Sequence, residues 1–314
     1  MLPLESVPNV SEGRDPTVVA AIADAFSSAG AHVLDTHLDG DHHRAVVTLV
    51  GDDHALEQGL VVGIDEARRR IDLRTHEGVH PRVGAADVVP VVPLGAGDLS
   101  RCVAVAHEVG RRVGDEIGLA VFLYGVVGEG RRPAFFRRGG PEELQRRIDA
   151  GELAPAYGPG QIDARAGAVL VGVRRPLLAY NIELLGTLET AREVAQAVRE
   201  SSGGLPGVQA LGLRLSSGAV QISTNVIDLD ATAPHVMVER IATEAAARGA
   251  GVGRGELVGL VPAASVARAA RAAGVQSPLD DHGVPTPAAL AAAAHALHLD
   301  DLTADRVLEW HLTG

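Results

Sequence analysis

Apolar positions recur along the chain with two periods, strict alternation in short runs and a helical spacing in longer ones, and their succession sets out the elements. A strand is expected near Glu5 to Val10. The helical period then runs from about Pro16 to Ala29, opened by Asp15 in the capping position and closed by Gly30. Strands follow at His32 to Leu38 and Arg44 to Val50, joined by the polar turn DGDHH. A helix from about Asp53 to Arg70 and a buried strand from Asp87 to Pro93 complete the order βαββαβ, and a helix from Leu99 to Ile117 with a strand at Ala120 to Leu123 extends it.

From Arg131 to Gly167 the periodicity lapses into an Arg-, Gly- and Pro-rich stretch around one short helix, Pro141 to Ala150, which reads as a connector or binding loop rather than a sheet layer. The run GAVLVGVRRPLLAYNIEL opens the second half. A helix from Thr187 to Glu200, strands at Val208 to Leu213 and Val220 to Val226, a helix from Pro234 to Arg248 and a strand at Glu256 to Leu260 give βαββαβ again. The Ala-rich AALAAAAHALHL and then DLTADRVLEWHL read as closing helices. The expected fold is therefore α/β (α+β): two similar βαββαβ subdomains, residues 1–178 and 179–314, each a sheet covered by helices, with a ligand groove between them.

Composition narrows the chemistry. There is no lysine, so all 28 basic residues are Arg. A Schiff-base, Walker-type or kinase lysine is excluded, because a guanidinium stays protonated and forms no imine. A net charge of −12 argues against a nucleic-acid partner, which needs a basic face to displace counterions. An anionic ligand would have to be met by local arginines, and Arg131 with Arg132, Arg137 with Arg138, and Arg174 with Arg175 are the candidate pairs. A single cysteine, Cys102, has no internal disulfide partner and is expected to pack on its helix. The N-terminal MLPLESVPNVSEGRD lacks the basic and apolar regions of a signal peptide, and no apolar run approaches membrane length, so a cytoplasmic location is expected.

Three stretches carry more polar residues than their loops require. In VPNVSEGRD, Asn9 and Ser11 with Gly13 stand between a strand and a helix, where donors can face an anion or simply form a turn and cap. In DTHLDGDHHRAVV, three aspartates, three histidines and Arg44 crowd a hairpin, which fits a substrate-facing patch, an ordinary turn or a metal site, although no His pair has a typical zinc spacing. The third, HEGVHPRVGAADVVP, contains a string of the H-E-x-x-H type. Two histidines four apart share a metal only on a continuous helix, and Gly78 and Pro81 oppose one here. No metal is expected, Glu77 is then incidental, and His80 before Pro81 and Arg82 is a positioned proton-transfer candidate, since an unperturbed imidazole suits proton transfer near neutrality.

Taken in order, VPNVSEGRD, LDTHLDGDHHRAVVTLVG, HEGVHPRVGAADVVPVVPL, LYG, YGPGQIDARAGAVLVGVRRPLLAYNIELLGT, VQISTNVIDL and GELVGLVP resemble the formiminotransferase (glutamate formimidoyltransferase) family over nearly the whole chain, in its form without a cyclodeaminase domain. The resemblance implies transfer of a formimino group from N-formiminoglutamate to N5 of tetrahydrofolate, the latter a co-substrate, with a histidine general acid/base; formyl transfer between 5-formyltetrahydrofolate and glutamate, and a folate-binding protein without catalysis, are the alternatives. It also implies a homodimer acting on small molecules, with no nucleic acid or membrane partner. By the same resemblance the catalytic histidine falls on His80 and its arginine on Arg44; Asp35, Asp39 or Asp41 is left to assist, and Arg44 and Arg82 are expected to pair with substrate carboxylates. The folate loop falls on Gly158, Pro159, Gly160, Gln161, Ile162, Asp163, Ala164, Arg165, Ala166 and Gly167. Two departures stand out. Asp163 and Ala164 replace a His-Pro frequent in the family, and His37 replaces an Asp two residues beyond Asp35.

Overall fold

A computed structural model describes residues 3–78, 81–300 and 302–313. The chain divides into two compact units, Met1–Arg174 and Arg175–Gly314.

In the first unit β1 (Leu4–Ser6) and β2 (Asn9–Val10) lie in line between β4 (Arg44–Gly51) and β5 (Ala86–Val92). They replace the single strand expected over Glu5 to Val10. Pro8 interrupts the ladder because it has no N–H to give, although its carbonyl still accepts from Val47 N at 3.0 Å. β3 (His32–Asp39) pairs outside β4, and β7 (Val169–Val173) lies parallel between β5 and β6 (Val121–Gly125). The apolar run from Gly167 is thus shared: β7 completes the first sheet, and only β8 (Leu178–Leu185) opens the second.

Helices α1 (Pro16–Ser27), α2 (Asp53–Arg70) and α3 (Leu99–Arg112) bury one sheet face, where Ala45, Val47, Leu49, Val89, Val91, Val169 and Val171 meet Phe26, Leu60, Ile64 and Val105. Asp15 caps α1 by accepting from Thr17 N at 2.9 Å, and Asp52 caps α2 through Ala55 N at 2.8 Å. Cys102 is buried in α3, where burial pushes its thiol up to about 11. The helix expected to Ile117 stops at Arg112 and widens into a π turn over Val113–Ile117 that ends on left-handed Gly118.

The opposite face of β5, β6 and β7 is covered by the connector, in which the expected short helix is present and a second helix and a packing role are added. The connector folds into α4 (Pro133–Arg137) and α5 (Gly140–Asp149), and Phe136, Leu144 and Ile162 pack on Val88, Phe122 and Leu170. It adds no strand but forms a covering layer.

The second unit arranges β8, β9 (Val208–Arg214), β10 (Val220–Val226) and β11 (Gly251–Val258) as an antiparallel sheet in the order β11-β8-β10-β9. With α6 (Leu188–Val198) and α7 (Pro234–Ala246) this is βαββαβ, and the first unit repeats that order through β5. Tyr180, Ile182, Ile222, Met237 and Ile241 fill its core. An additional helix, α8 (Ala263–Ala272), joins α9 (Pro287–Ala296), and the last stretch forms 3₁₀ turns at Ala304–Arg306 and Leu308–Leu312 instead of the expected helix.

Candidate active site

Strand register sorts the polar residues of the first unit onto one face. Asp39 pairs with Arg44, His37 with Val46, and Asp35 with Thr48, after a bulge that turns β3 between Val33 and Asp35. Asn9 pairs with both Val46 and Val88. Directly paired residues share a face, so Asn9, Asp35, His37, Asp39 and Arg44 all lie opposite Ala45, Val47 and Leu49 of the helix-covered core. α4 and α5 cover only the β5, β6 and β7 end of that face. The polar strip lies beside it, which explains why the DTHLD stretch shows no full amphipathic alternation.

The turn after β3 builds a His–Asp pair. His42 is buried, its Nδ1 lies 2.5 Å from Asp39 Oδ2, and its N–H donates to Asp39 Oδ1 at 2.8 Å. Burial opposes ionisation of Asp39, but the His42 side chain and N–H, with Arg44 beyond, hold its carboxyl below the usual range. His43, at a positive φ of 48°, sets Nε2 at 3.1 Å from Glu12 Oε1 and Nδ1 at 2.8 Å from the Glu77 carbonyl, and its ring stacks on His76 at 3.9 Å. Glu12 Oε1 also accepts from the N–H groups of Gly13, Arg14 and Asp15, which outweigh burial and hold Glu12 low.

His76 stands on extended backbone after the 3₁₀ turn Leu73–Thr75, so no helix carries it and the zinc-helix reading of HEGVH lacks its scaffold. Val79 and His80 lie outside the described residues. Arg82, two residues on, donates to the His42 carbonyl at 3.1 Å and to His76 Nε2 at 2.6 Å. Burial and the neighbouring Arg82 charge push His76 down to about 4, leaving a neutral imidazole able to accept. Gly78 makes this approach possible, since a Cβ there would sit 2.7 Å from Arg82 Nη2 and 2.8 Å from the His42 carbonyl.

Asp87, absent from the residues expected at the site, organises it. Its side chain is buried, Oδ1 accepts from Val83 N at 2.7 Å and Gly84 N at 3.2 Å, and Oδ2 pairs with Arg137 Nη2 from the end of α4. Arg44 and Arg82 lie within the same field. Burial and then Arg137 push Arg44 down to about 10 against the pull of Asp87 and Asp39, with Arg82 adding to the repulsion. Arg82 is lowered by burial, which outweighs Asp87, while Arg137 and Arg14 repel it. Three guanidiniums crowded around a carboxylate favour an incoming anion.

The remaining expected residues divide. Ser11 is buried and spends its hydroxyl on the Gly84 carbonyl at 2.7 Å, and Asn9 donates to the Val7 carbonyl at 3.0 Å. Gly158, Pro159 and Gly160 form an exposed turn, with Gln161 beside Gln145 and Ile162 buried under α5. Asp163 Oδ1 accepts from Arg165 N and Ala166 N at 2.8 and 2.7 Å, so in place of His-Pro the loop holds a self-contained Asx turn around Ala164. Arg165 leads away to the Arg69 carbonyl and Asp72. The loop's end is fixed beside the Arg82 segment: Ala85 N donates to the Ala166 carbonyl and Ala168 N to the Val83 carbonyl, both at 2.8 Å, and Gly84 bridges Gly167. A Cβ on Gly84 would lie 1.9 Å from the Ala168 carbonyl. Of the arginine pairs, Arg137 enters the site, while Arg131 pairs with Glu129 and Arg175 stands exposed near Asp230. Among the described residues no group of three or more His, Cys, Asp or Glu could hold a metal ion, and no helix is long and apolar enough to cross a membrane.

Fold and site define a two-unit α/β protein whose first unit presents an arginine-rich, histidine-containing polar face suited to anionic small molecules. Residues 3–174 match the family model for the formiminotransferase domain, N-terminal subdomain, and residues 179–277 that for the formiminotransferase domain. The chain is 38% identical to a glutamate formimidoyltransferase of Thermoplasma acidophilum, covering 82% of this chain and 88% of that one. It is 34% identical to the enzyme of that name in Streptococcus pyogenes, over 83% and 89%. A formimidoyltransferase-cyclodeaminase of Gallus gallus is 37% identical over 82% of this chain and 50% of its own length. The chain belongs to the formiminotransferase family.

Proposed function

We propose that the protein is a folate-dependent transferase that moves the formimino group of N-formiminoglutamate to N5 of tetrahydrofolate and releases glutamate. The observation that carries this reading is family membership through both subdomain models, and the arginine cluster next to the Pro81–Arg82 segment supports it.

The neutral N5 amine attacks the amidine carbon, a new C–N5 bond forms, and the bond from that carbon to the glutamate nitrogen breaks. One proton must leave N5 and one must reach the departing nitrogen. His80 is assigned both transfers, as an imidazole near neutrality can act in each direction. Asp39, its charge fixed by His42, supplies negative potential on the strip, and Asp35 lies on the same face. Arg44 and Arg82 receive donor carboxylates, and the Gly158–Gly167 loop, anchored beside Arg82, receives the folate. Holding both reactants in register supplies much of the acceleration of a bimolecular step. A cytoplasmic location and a homodimer are part of this reading, the homodimer from the resemblance alone, and sedimentation tests it.

The test mixes purified protein with tetrahydrofolate and N-formiminoglutamate, and separately with 5-formyltetrahydrofolate and glutamate, and resolves folate products by chromatography. Product in the first mixture, lost in His80→Ala with folate affinity retained, is expected. Product only in the second replaces formimino by formyl transfer, and His80→Ala with wild-type turnover removes the histidine from the mechanism.

A further inference from the structure

Arg137 lies 50 residues from Asp87 in sequence, on a connector with no strand of its own, yet its side chain is only 13% exposed and ends on a carboxylate that is 2% exposed. One terminal nitrogen is used by Asp87. The Nε–H is buried and has no hydrogen-bond acceptor among the described residues. A buried guanidinium N–H without an acceptor is costly, and a ligand oxygen is the economical way to satisfy it. Arg137 also sits close enough to Arg44 and Arg82 to repel both. Asp87 cannot neutralise all three, since its Oδ1 is already committed to two backbone N–H groups.

We propose that Arg137, oriented by Asp87, is a carboxylate-binding residue of the donor site and, with Arg44 and Arg82, selects a donor that carries two carboxylates. The inference rests on the formimino-transfer reading. Chemistry favours the donor over the folate tail. The carboxylates of N-formiminoglutamate lie a few bonds from the reacting carbon, and Arg82, which shares the field of Arg44 and Arg137, follows His80 by two residues in sequence. The glutamate tail of tetrahydrofolate is a whole aminobenzoyl ring away from N5. Asp87 is accordingly a positioning residue: it touches no substrate, but it aims Arg137 and ties down the turn after Arg82.

Arg137→Lys keeps a cation for Asp87 while removing the Nε–H and the planar fork. Titration calorimetry of the full chain with glutamate, glutamine and isoglutamine, under saturating tetrahydrofolate, compares it with wild type. The wild type is expected to bind glutamate at least about tenfold more tightly than one of the two mono-amides, the effect of losing one charge-assisted contact. Arg137→Lys should erase that preference, and in turnover should raise KM for N-formiminoglutamate about tenfold with kcat and folate affinity within about twofold. Equal wild-type binding of all three ligands, no glutamate binding, or an unchanged preference in folded Arg137→Lys overturns the proposal, as does a loss confined to folate. The wild-type comparison decides even where the variant fails to fold. Glutamate selectivity without formimino transfer would overturn the transferase reading and leave this one standing; transfer by wild type with Arg137→Lys unimpaired would do the reverse.

Discussion

Replacing Asp87 by Asn tests whether one buried carboxylate holds the site together. Asparagine keeps an oxygen where Oδ1 accepts from Val83 N and Gly84 N, so the turn retains its bonds. At the Oδ2 position it presents an N–H₂ to Arg137, so two donors face each other and a buried guanidinium loses its counter-ion. Removing one partner of a buried ion pair costs about 3–5 kcal/mol, and the retained backbone contacts place the expected loss near the lower end, about 3 kcal/mol. Urea denaturation followed by far-UV circular dichroism should show the midpoint falling at an unchanged slope. The control is Glu108→Gln, which removes an exposed partner of Arg111 and should leave the midpoint where it was. Asp87→Asn within about 1 kcal/mol of wild type would refute the reasoning, because the pair would then contribute no more than a surface contact.

Other consequences follow from the same geometry. His76 is held at about 4 against an ordinary 6.5, so the unfolded chain binds a proton in that interval that the folded chain does not. Stability should therefore fall as pH drops from about 6.5 towards 4, by about 1–2 kcal/mol once solvent screening is allowed for, and His76→Gln should flatten that part of the pH–stability curve; an identical slope in the variant would show that other groups cause it. Gly84→Ala forces a Cβ to 1.9 Å from the Ala168 carbonyl, and should separate the Arg82 turn from the Gly158–Gly167 loop, weakening folate binding by equilibrium dialysis at least about tenfold; wild-type affinity would count against the loop's role. Gly13→Ala places a Cβ 2.2 Å from the Asp39 carbonyl and 2.5 Å from Arg44 N, so turnover should collapse with the β3–β4 turn, and retained activity would show that the turn can shift without harm.

Local signals carried the helices well. Asp15 caps α1 as its position before Pro16 suggests, and α2 occupies the whole expected span. The duplicated βαββαβ order was equally legible, because alternating and helical periods are properties of the segment itself. Partners were not. Nothing in VLVGV says that β7 will slip between β5 and β6, since a parallel strand buried on both faces is apolar whichever sheet receives it. The connector's layer was hidden for a related reason: its buried side chains, Phe136, Leu144 and Ile162, are too far apart to set a period. At the site, the crowding of acids, histidines and Arg44 in DTHLDGDHHR marked the polar face. The pairing of His42 with Asp39 depends on a turn conformation, with His43 at positive φ, that the residues do not announce.

Arg137 stood among the arginine candidates, but its pairing with Asp87 escapes a linear reading, and the pair shows why a fold would retain such a centre. A buried ion pair is a poor source of stability, because the charges surrender hydration that their attraction only partly returns. What this pair supplies is connection. Asp87 joins β5 to the turn that follows Arg82, Arg137 joins that turn to a covering helix, and the turn itself is hydrogen-bonded to the end of the Gly158–Gly167 loop. An apolar pair of the same volume could pack there, but it would neither hold two backbone N–H groups nor leave a guanidinium edge unsatisfied beside Arg44 and Arg82. The carboxylate therefore fixes where Arg137 stands without cancelling the charge of the arginines around it, which is the condition that the proposed carboxylate site requires.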